Sequence, residues 1–149
     1  LNAKDKGIEL RQDIEPNLPL VLGHYDLLLQ VLANLVGNSL KFTEAGGRVV
    51  VRAYRTISRE RHDDSTAKVR IEIGDTGTGI APDDRDAIFE RFYRVENRVH
   101  TLEGTGLGLS IVRNIIDKHQ TKIRLVSELG VGTTFWFDLA LSAETGTES

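Results

Sequence analysis

Asn34, Asn38 and Lys41 stand at i, i+4 and i+7 in a stretch with helical periodicity. At about 100° per residue they fall within an arc of roughly 60° on one side of a helix. A carboxamide is a neutral oxygen ligand, suited to one position of an octahedral Mg2+ whose other ligands are waters and phosphate oxygens. An ammonium group one turn further on suits the phosphates themselves. A plain solvated helix face accounts for the same trio, and taken alone the trio favours that reading. A second candidate is Gly74-Asp75-Thr76-Gly77-Thr78-Gly79, directly after an alternating stretch. An Asp closing a strand, followed by glycines at alternate positions, sets a fixed acceptor beside backbone that a flat ligand can approach. An exocyclic purine amine is a matching donor; a simple glycine-rich turn is the competing reading. The third is Gly104-Thr105-Gly106-Leu107-Gly108-Leu109-Ser110, where an aperiodic stretch meets an apolar helix. Alternate glycines there leave backbone N–H groups free to face an anion at the positive end of a helix. It is neither a Walker A loop, for no Gly-Lys-Ser/Thr follows, nor a dinucleotide fingerprint, for the spacing differs and no parallel strand precedes it.

These groups need elements to hold them. Residues 25–42 read as one helix, with Leu28, Leu32, Leu35 and Phe42 on one side and Leu29, Val36 and Leu40 widening the stripe. The Asn–Asn–Lys arc is expected opposite that stripe, and Gly46-Gly47 is expected to close the helix after Thr43. Residues 7–13 predict an edge strand, and 48–54 and 68–73 two further strands; Val69, Ile71 and Ile73 alternate strictly with Lys68, Arg70 and Glu72. The polar stretch 56–67 mixes Arg59, Arg61 and His62 with Glu60, Asp63 and Asp64, which predicts a solvated hairpin loop in preference to a basic patch. A short helix is predicted after Pro82, carrying Ile88, Phe89 and Phe92. Residues 94–105 lack periodicity, a length of loop that is often functional. A helix over 107–118 and strands over 122–126 and 134–141, joined by the turn Leu129-Gly130-Val131-Gly132, complete an α/β fold. It is expected as a two-layer sandwich: a mixed, mostly antiparallel five-stranded sheet with three helices on one face. Residues 142–149 are small, polar and acidic, and predict a disordered tail.

Composition narrows the chemistry. The chain has 149 residues, 19 Lys plus Arg against 22 Asp plus Glu, and a formal charge of -3, which argues against nucleic acid as a partner. Without cysteine there is no disulfide, thiolate metal site or cysteine nucleophile. No apolar run approaches the ~18 residues of a membrane span, so no membrane contact is expected of this domain. A chain without methionine predicts a piece of a longer protein, monomeric by itself and working in the cytoplasm, whether or not its parent is anchored in a membrane.

In this order the three candidates resemble the ATP-binding catalytic domain of two-component sensor histidine kinases, within the superfamily of gyrase-type, chaperone-type and mismatch-repair ATPases and its Bergerat-type fold. Residues 32–43 resemble that family's asparagine box and Asp75-Thr76-Gly77-Thr78-Gly79-Ile80 its first glycine box. Ile88-Phe89-Glu90-Arg91-Phe92-Tyr93-Arg94 resembles its phenylalanine box, 104–110 its second glycine box, and Gly130-Val131-Gly132-Thr133-Thr134-Phe135 its closing turn. The resemblance runs from about residue 4 to 141, so residues 1–141 are expected to form one ATP-binding domain. It implies that Asn38, with Asn34 nearby, holds a Mg2+ on the phosphates of ATP while Lys41 contacts phosphate oxygens. Phe42 stands where the family often has Tyr. Asp75 would accept the adenine amine, with Gly77, Gly79, Ile80 and Thr133 around the base. Arg94 would reach the γ-phosphate, with Arg91 and Arg98 as weaker candidates. Gly104, Thr105, Gly106, Leu107 and Gly108 would cradle the phosphates, and a mobile lid from Tyr93 to Glu103 would cover them. A Gln120-Thr121 pair replaces the glycines usual after His119.

Hydrolysing members of the superfamily carry Glu one turn before the metal-binding Asn. Here that position is Asn34, which cannot take a proton from water near neutral pH, so phosphotransfer is expected over hydrolysis. His24, His62, His100 and His119 all lack the setting of a phosphoacceptor. The resemblance therefore implies an acceptor on a separate dimerisation domain of the same kinase, and a response regulator downstream. A serine-directed kinase of the same superfamily and a non-catalytic nucleotide-binding or docking module are the alternatives.

Overall fold

Strand alternation becomes a sheet in the computed structural model, which describes residues 3–61, 64–90 and 108–142, side chains at 58–61 and 64–66 excepted. The elements are α1 (Ala3–Lys6), β1 (Glu9–Ile14), α2 (Tyr25–Phe42), β2 (Arg48–Arg61), β3 (Asp64–Asp75), α3 (Gly108–Lys118), β4 (Arg124–Glu128) and β5 (Gly132–Ala140). Among the described residues the sheet is five-stranded, in the order β1-β2-β3-β5-β4. β1 runs parallel to β2 and the remaining pairs are antiparallel.

Register decides which side chains share a face. Val51, Ile73, Phe135 and Leu125 lie in one row across β2, β3, β5 and β4. Onto this face α2 brings Val31 and Leu35 and α3 brings Val112, Ile115 and Ile116, all buried. Each such side chain contributes about 1.5–3 kcal/mol on burial. Phe89 closes the core edge-on to Phe135, with ring centroids 6.2 Å apart. The opposite face keeps polar side chains in pairs. Arg70 donates to Asp138 at 2.8 and 3.1 Å and lies 4.0 Å over the Trp136 ring. Tyr54 donates to Glu72, and burial together with that carboxylate raises its phenol above the usual tyrosine value. The strict alternation over 68–73 thus reflects a core face and a paired polar face.

Four local expectations change. The stretch 56–67 is strand through most of its length: Thr56, Ile57 and Ser58 pair with Lys68, Ala67 and Thr66, and Arg61 with Asp64 beyond a register shift. A two-stranded ribbon leaves charged residues in water, so polarity alone does not argue against strand; Ile57 and the threonines supply the β preference. The segment after Pro82 is two 3-10 turns, Pro82–Asp84 and Ala87–Phe89, which still bury Ile88 and Phe89 as expected. The glycine pair does not cap α2: Thr43 leaves the helix extended, and Gly46 takes its positive φ in the following turn. Instead the Lys6 ammonium donates to the Leu40 and Lys41 carbonyls at 2.7 and 2.9 Å, and Thr78 N–H donates to the Phe42 carbonyl at 3.3 Å. Lys6 reaches there from α1, a single unpredicted turn ended by Gly7, whose N–H donates to the Lys4 carbonyl while Ile8 N–H donates to that of Ala3.

The start of α2 is held unusually. His24 is the N-cap, in extended conformation, and its side chain caps nothing. Its backbone N–H donates to His119 Nε2 at 3.0 Å, while His119 Nδ1 lies 2.8 Å from the Ile115 carbonyl. These bonds require the neutral ring with its proton on Nδ1. The end of α3 is thereby pinned to the start of α2 without help from the His24 ring. His24→Asp is expected to add a side-chain acceptor for the first-turn amides and to stabilise the chain by about 1 kcal/mol. Thermal unfolding should shift up by about 2–4 °C; a fall would show that the His24 ring contributes more than its backbone.

Candidate functional site

The first glycine segment, through Gly77, and Gly108 of the second meet α2. The Asn34 amide lies against the start of α3, where a Cβ on Gly108 would stand 3.7 Å from Asn34 Oδ1. Asn34, Asn38 and Lys41 are half-buried, flanking the buried rail of Val31, Leu35 and Ser39. They are not opposite the core: the solvent side of the helix carries Tyr25, Leu29, Ala33 and Gly37. The apolar stripe is narrower than the sequence suggests, because the sheet and α3 approach α2 from adjacent directions and leave the trio at the seam. Lys41 Nζ lies 5.5 Å from the centre of the Phe42 ring.

At the other end of the site, Asp75 ends β3 half-buried. Its Oδ1 accepts from Gly77 N–H at 2.8 Å and Thr133 N–H at 3.3 Å. That anchors the carboxylate and turns Oδ2 into the acceptor it can offer a ligand. Thr133 is the register partner of Asp75 on β5, and Ser127 that of Thr133 on β4. All three lie in the face that bears Ile73 and Phe135, at the sheet's end and on the helix side. The glycines of this loop serve the chain's own packing. A Cβ on Gly77 would stand 2.6 Å from the Phe42 carbonyl oxygen, and one on Gly79 2.2 Å from that of Glu128. Gly79 also has φ +79°.

Sequence reasoning missed Ser127 and Arg85. Ser127 Oγ accepts from the N–H of buried Ile80 at 2.8 Å and meets Thr133 Oγ1 at 2.7 Å, while Arg85 Nη2 donates to the Ser127 carbonyl. The signal was present in the hairpin: β4 runs to Glu128, two residues past its expected end, which moves Ser127 from the turn into the strand opposite Thr133. Tyr93, Arg94, Gly104, Thr105, Gly106 and Leu107 lie outside the described residues, as do Arg91, Phe92, Arg98, His62, His100 and 143–149. A cleft of about 320 Å³ opens beside Glu44, Thr76, Gly77, Thr78 and Gly130; it shares Gly77 with this site, while Asn38, Asp75 and Thr133 do not line it.

The donor set fits a cation that brings its own ligands. Among the described residues no three His, Cys, Asp or Glu side chains cluster around a common point. The Asn38 amide is a single neutral oxygen, adequate for Mg2+ only when phosphates and waters complete the shell. Among the described residues, also, no helix is long and apolar enough to cross a membrane.

Comparison with known proteins shows the family and the fold. The family model described as histidine kinase-, DNA gyrase B- and HSP90-like ATPase matches residues 23–143. The Drug sensory protein A of Synechocystis sp. is 68% identical over 142 residues, 95% of this chain and 21% of its own length. A sensor-like histidine kinase, ycf26, of Pyropia yezoensis is 56% identical over 149 residues, 97% of this chain and 23% of its own. The chain thus spans about a fifth of the length of these two curated relatives. Among solved structures, full-length ShkA in complex with AMPPNP superposes with a TM-score of 0.76 at 37% identity, covering 95% of this chain and 27% of that one. The five-stranded sheet, the helix-borne asparagines and the Asp75 turn therefore belong to a member of the histidine kinase-, DNA gyrase B- and HSP90-like ATPase family, as an ATP-binding catalytic domain of the sensor histidine kinase type.

Proposed function

We propose that the chain binds Mg2+-ATP at the seam of α2, α3 and the loop after β3, and that the γ-phosphate passes to a histidine on a separate dimerisation domain of the same kinase. That phosphohistidine would feed an Asp of a response regulator, in the cytoplasm where ATP is available. The observation that carries this reading is the anchored Asp75, whose Oδ1 is committed to Gly77 and Thr133 and whose Oδ2 is left for an adenine amine. Asn34 supports transfer over hydrolysis. It sits against Gly108, on the arc with Asn38 and Lys41, and has no basic oxygen with which to deprotonate water. Asn38 and Lys41 would hold the phosphates, and a bound Mg2+ would neutralise their charge. The family resemblance assigns Arg94 to the γ-phosphate.

Calorimetric titration with a non-hydrolysable ATP analogue, with and without Mg2+, tests the first step. Binding in the micromolar range that depends on Mg2+ is expected, and no binding would sink the reading. Adding the parent kinase's dimerisation domain with labelled ATP tests the second. The product should be acid-labile and alkali-stable, as a phosphoramidate is. An acid-stable phosphoserine on an added protein would instead favour a serine-directed kinase, and binding without transfer a docking module.

A further inference from the structure

We propose that Lys6 is a positioning residue whose ammonium neutralises the end of α2 beside the phosphates, an inference that rests on the nucleotide reading above. Asn38 and Lys41, which hold the phosphates in that reading, stand on the last two turns of α2. By itself that is the wrong end of a helix for an anion. Aligned peptide dipoles leave about half a negative charge at a C-terminus, carried by carbonyls without partners inside the helix. A glycine cap would pair some of those carbonyls with neutral N–H groups and leave the charge in place. α2 has no such cap, since Thr43 leaves it in extended conformation. Lys6 Nζ instead donates to the Leu40 carbonyl at 2.7 Å and to the Lys41 carbonyl at 2.9 Å. Two carbonyls at the negative pole thus share one full positive charge. The second bond also fixes the peptide of the lysine assigned to the phosphates.

The elements that bring Lys6 there do not depend on its side chain. Ala3 of α1 is buried, and so is Ile8 just beyond the turn. Gly46 N–H donates to the Gly7 carbonyl at 2.9 Å, and Glu9 N–H to the Gly47 carbonyl at 3.0 Å. These contacts clasp residues 3–9 to the turn that follows α2, with Lys6 half-buried between them. Lys6 touches no nucleotide in this arrangement. Its two carbonyl partners follow Asn38 by less than one helical turn, which puts its charge about 10 Å from phosphates held by the Asn38 amide. A charge acting over that distance has two signatures: its effect scales with the charge of the ligand, and salt screens it. The loss of a neutral hydrogen bond has neither.

Lys6→Gln keeps a donor for the carbonyls and removes the charge, whereas Lys6→Arg keeps both. The experiment is calorimetric titration of the 149-residue chain and both variants with AMPPNP and with ADP, each with Mg2+, at about 0.05 M and about 0.5 M salt. In Lys6→Gln at low salt, AMPPNP affinity should fall about fivefold and ADP affinity about twofold. Both losses should shrink at high salt, and Lys6→Arg should bind as the unaltered chain does. Thermal unfolding without nucleotide checks that the variants fold, as the contacts of Ala3, Gly7, Ile8 and Glu9 lead us to expect. Equal losses for the two nucleotides, indifferent to salt, overturn the proposal, because a merely structural role weakens both alike. Unchanged affinities overturn it too. So does a Gln variant that does not fold, for Lys6 would then serve the fold itself. If the unaltered chain binds neither nucleotide, the nucleotide reading fails, and that outcome is distinct because it involves no variant.

Discussion

Asp75→Asn is expected to weaken ATP binding about 100-fold while leaving the fold intact. The size follows from the loss of a charged hydrogen bond, about 1.5–3 kcal/mol, at 1.4 kcal/mol per tenfold. The direction follows from the anchoring. Gly77 and Thr133 N–H groups both point at Oδ1, so an Asn must place its carbonyl oxygen there to keep them paired. Its NH2 then occupies the position of Oδ2 and faces the ligand. An acceptor becomes a donor, opposed to the adenine amine. An inosine nucleotide carries O6 where adenine carries that amine, so the Asn variant should recover part of its affinity for an inosine analogue. Titration calorimetry with both analogues reads this inversion, and thermal unfolding checks that the midpoint moves by only a few degrees. Equal loss for both bases would show that Asp75 acts on the phosphates or the loop and not on the base edge.

Much of this was legible in the sequence, for physical reasons. Tyr25–Phe42 and Gly108–Lys118 were read nearly to the residue because their apolar periodicity is long and unbroken. Of the strand ending at Asp75 only the second half was legible, where Val69, Ile71 and Ile73 alternate with charged residues that pair on the outer face; its start at Asp64 lay in the stretch expected as loop. The candidate residues Asn34, Asn38 and Asp75 were singled out by residue identity and spacing, and Thr133 by the family resemblance. Their surroundings were not. That α2 ends on the Lys6 ammonium depends on a partner 34 residues away, and that His119 holds His24 depends on one 95 away. Ser127 was invisible for a related reason. A serine near a glycine turn reads as turn chemistry until pairing across the hairpin sets it opposite Thr133. The flank of α2 was misjudged because helical periodicity locates the centre of an apolar stripe better than its edges, and the trio sits at an edge.

Gly79 separates a glycine kept for the ligand from one kept for the fold, and Gly79→Ala is expected to cost about 3–5 kcal/mol of stability. Two effects add. The residue sits at φ +79°, where an L side chain is strained. Its Cβ would also stand 2.2 Å from the Glu128 carbonyl oxygen and 2.7 Å from that carbonyl carbon. Those atoms are backbone of β4 and cannot rotate aside as a flexible side chain would. The loop from Asp75 to Ile80 would have to move away from the β4–β5 hairpin. Its bonds there would go with it: Gly130 N–H to the Thr78 carbonyl at 2.8 Å and Ile80 N–H to Ser127 Oγ at 2.8 Å. At about 2–4 °C per kcal/mol in a chain of this size, the thermal midpoint should fall by about 10 °C or more. ATP affinity should fall with it, because the same shift withdraws Thr133 from Asp75. Gly130→Ala provides the comparison: it has a similar φ, +81°, but no atom within 4 Å of the added Cβ, so it should show the conformational cost alone, about 1 kcal/mol. If both variants lost the same stability, the close approach of β4 would be irrelevant and the turn conformation would be the whole effect. A larger loss at Gly79 with affinity unchanged would mean that the loop packs independently of the base site, which would separate the fold's use of this glycine from the ligand's.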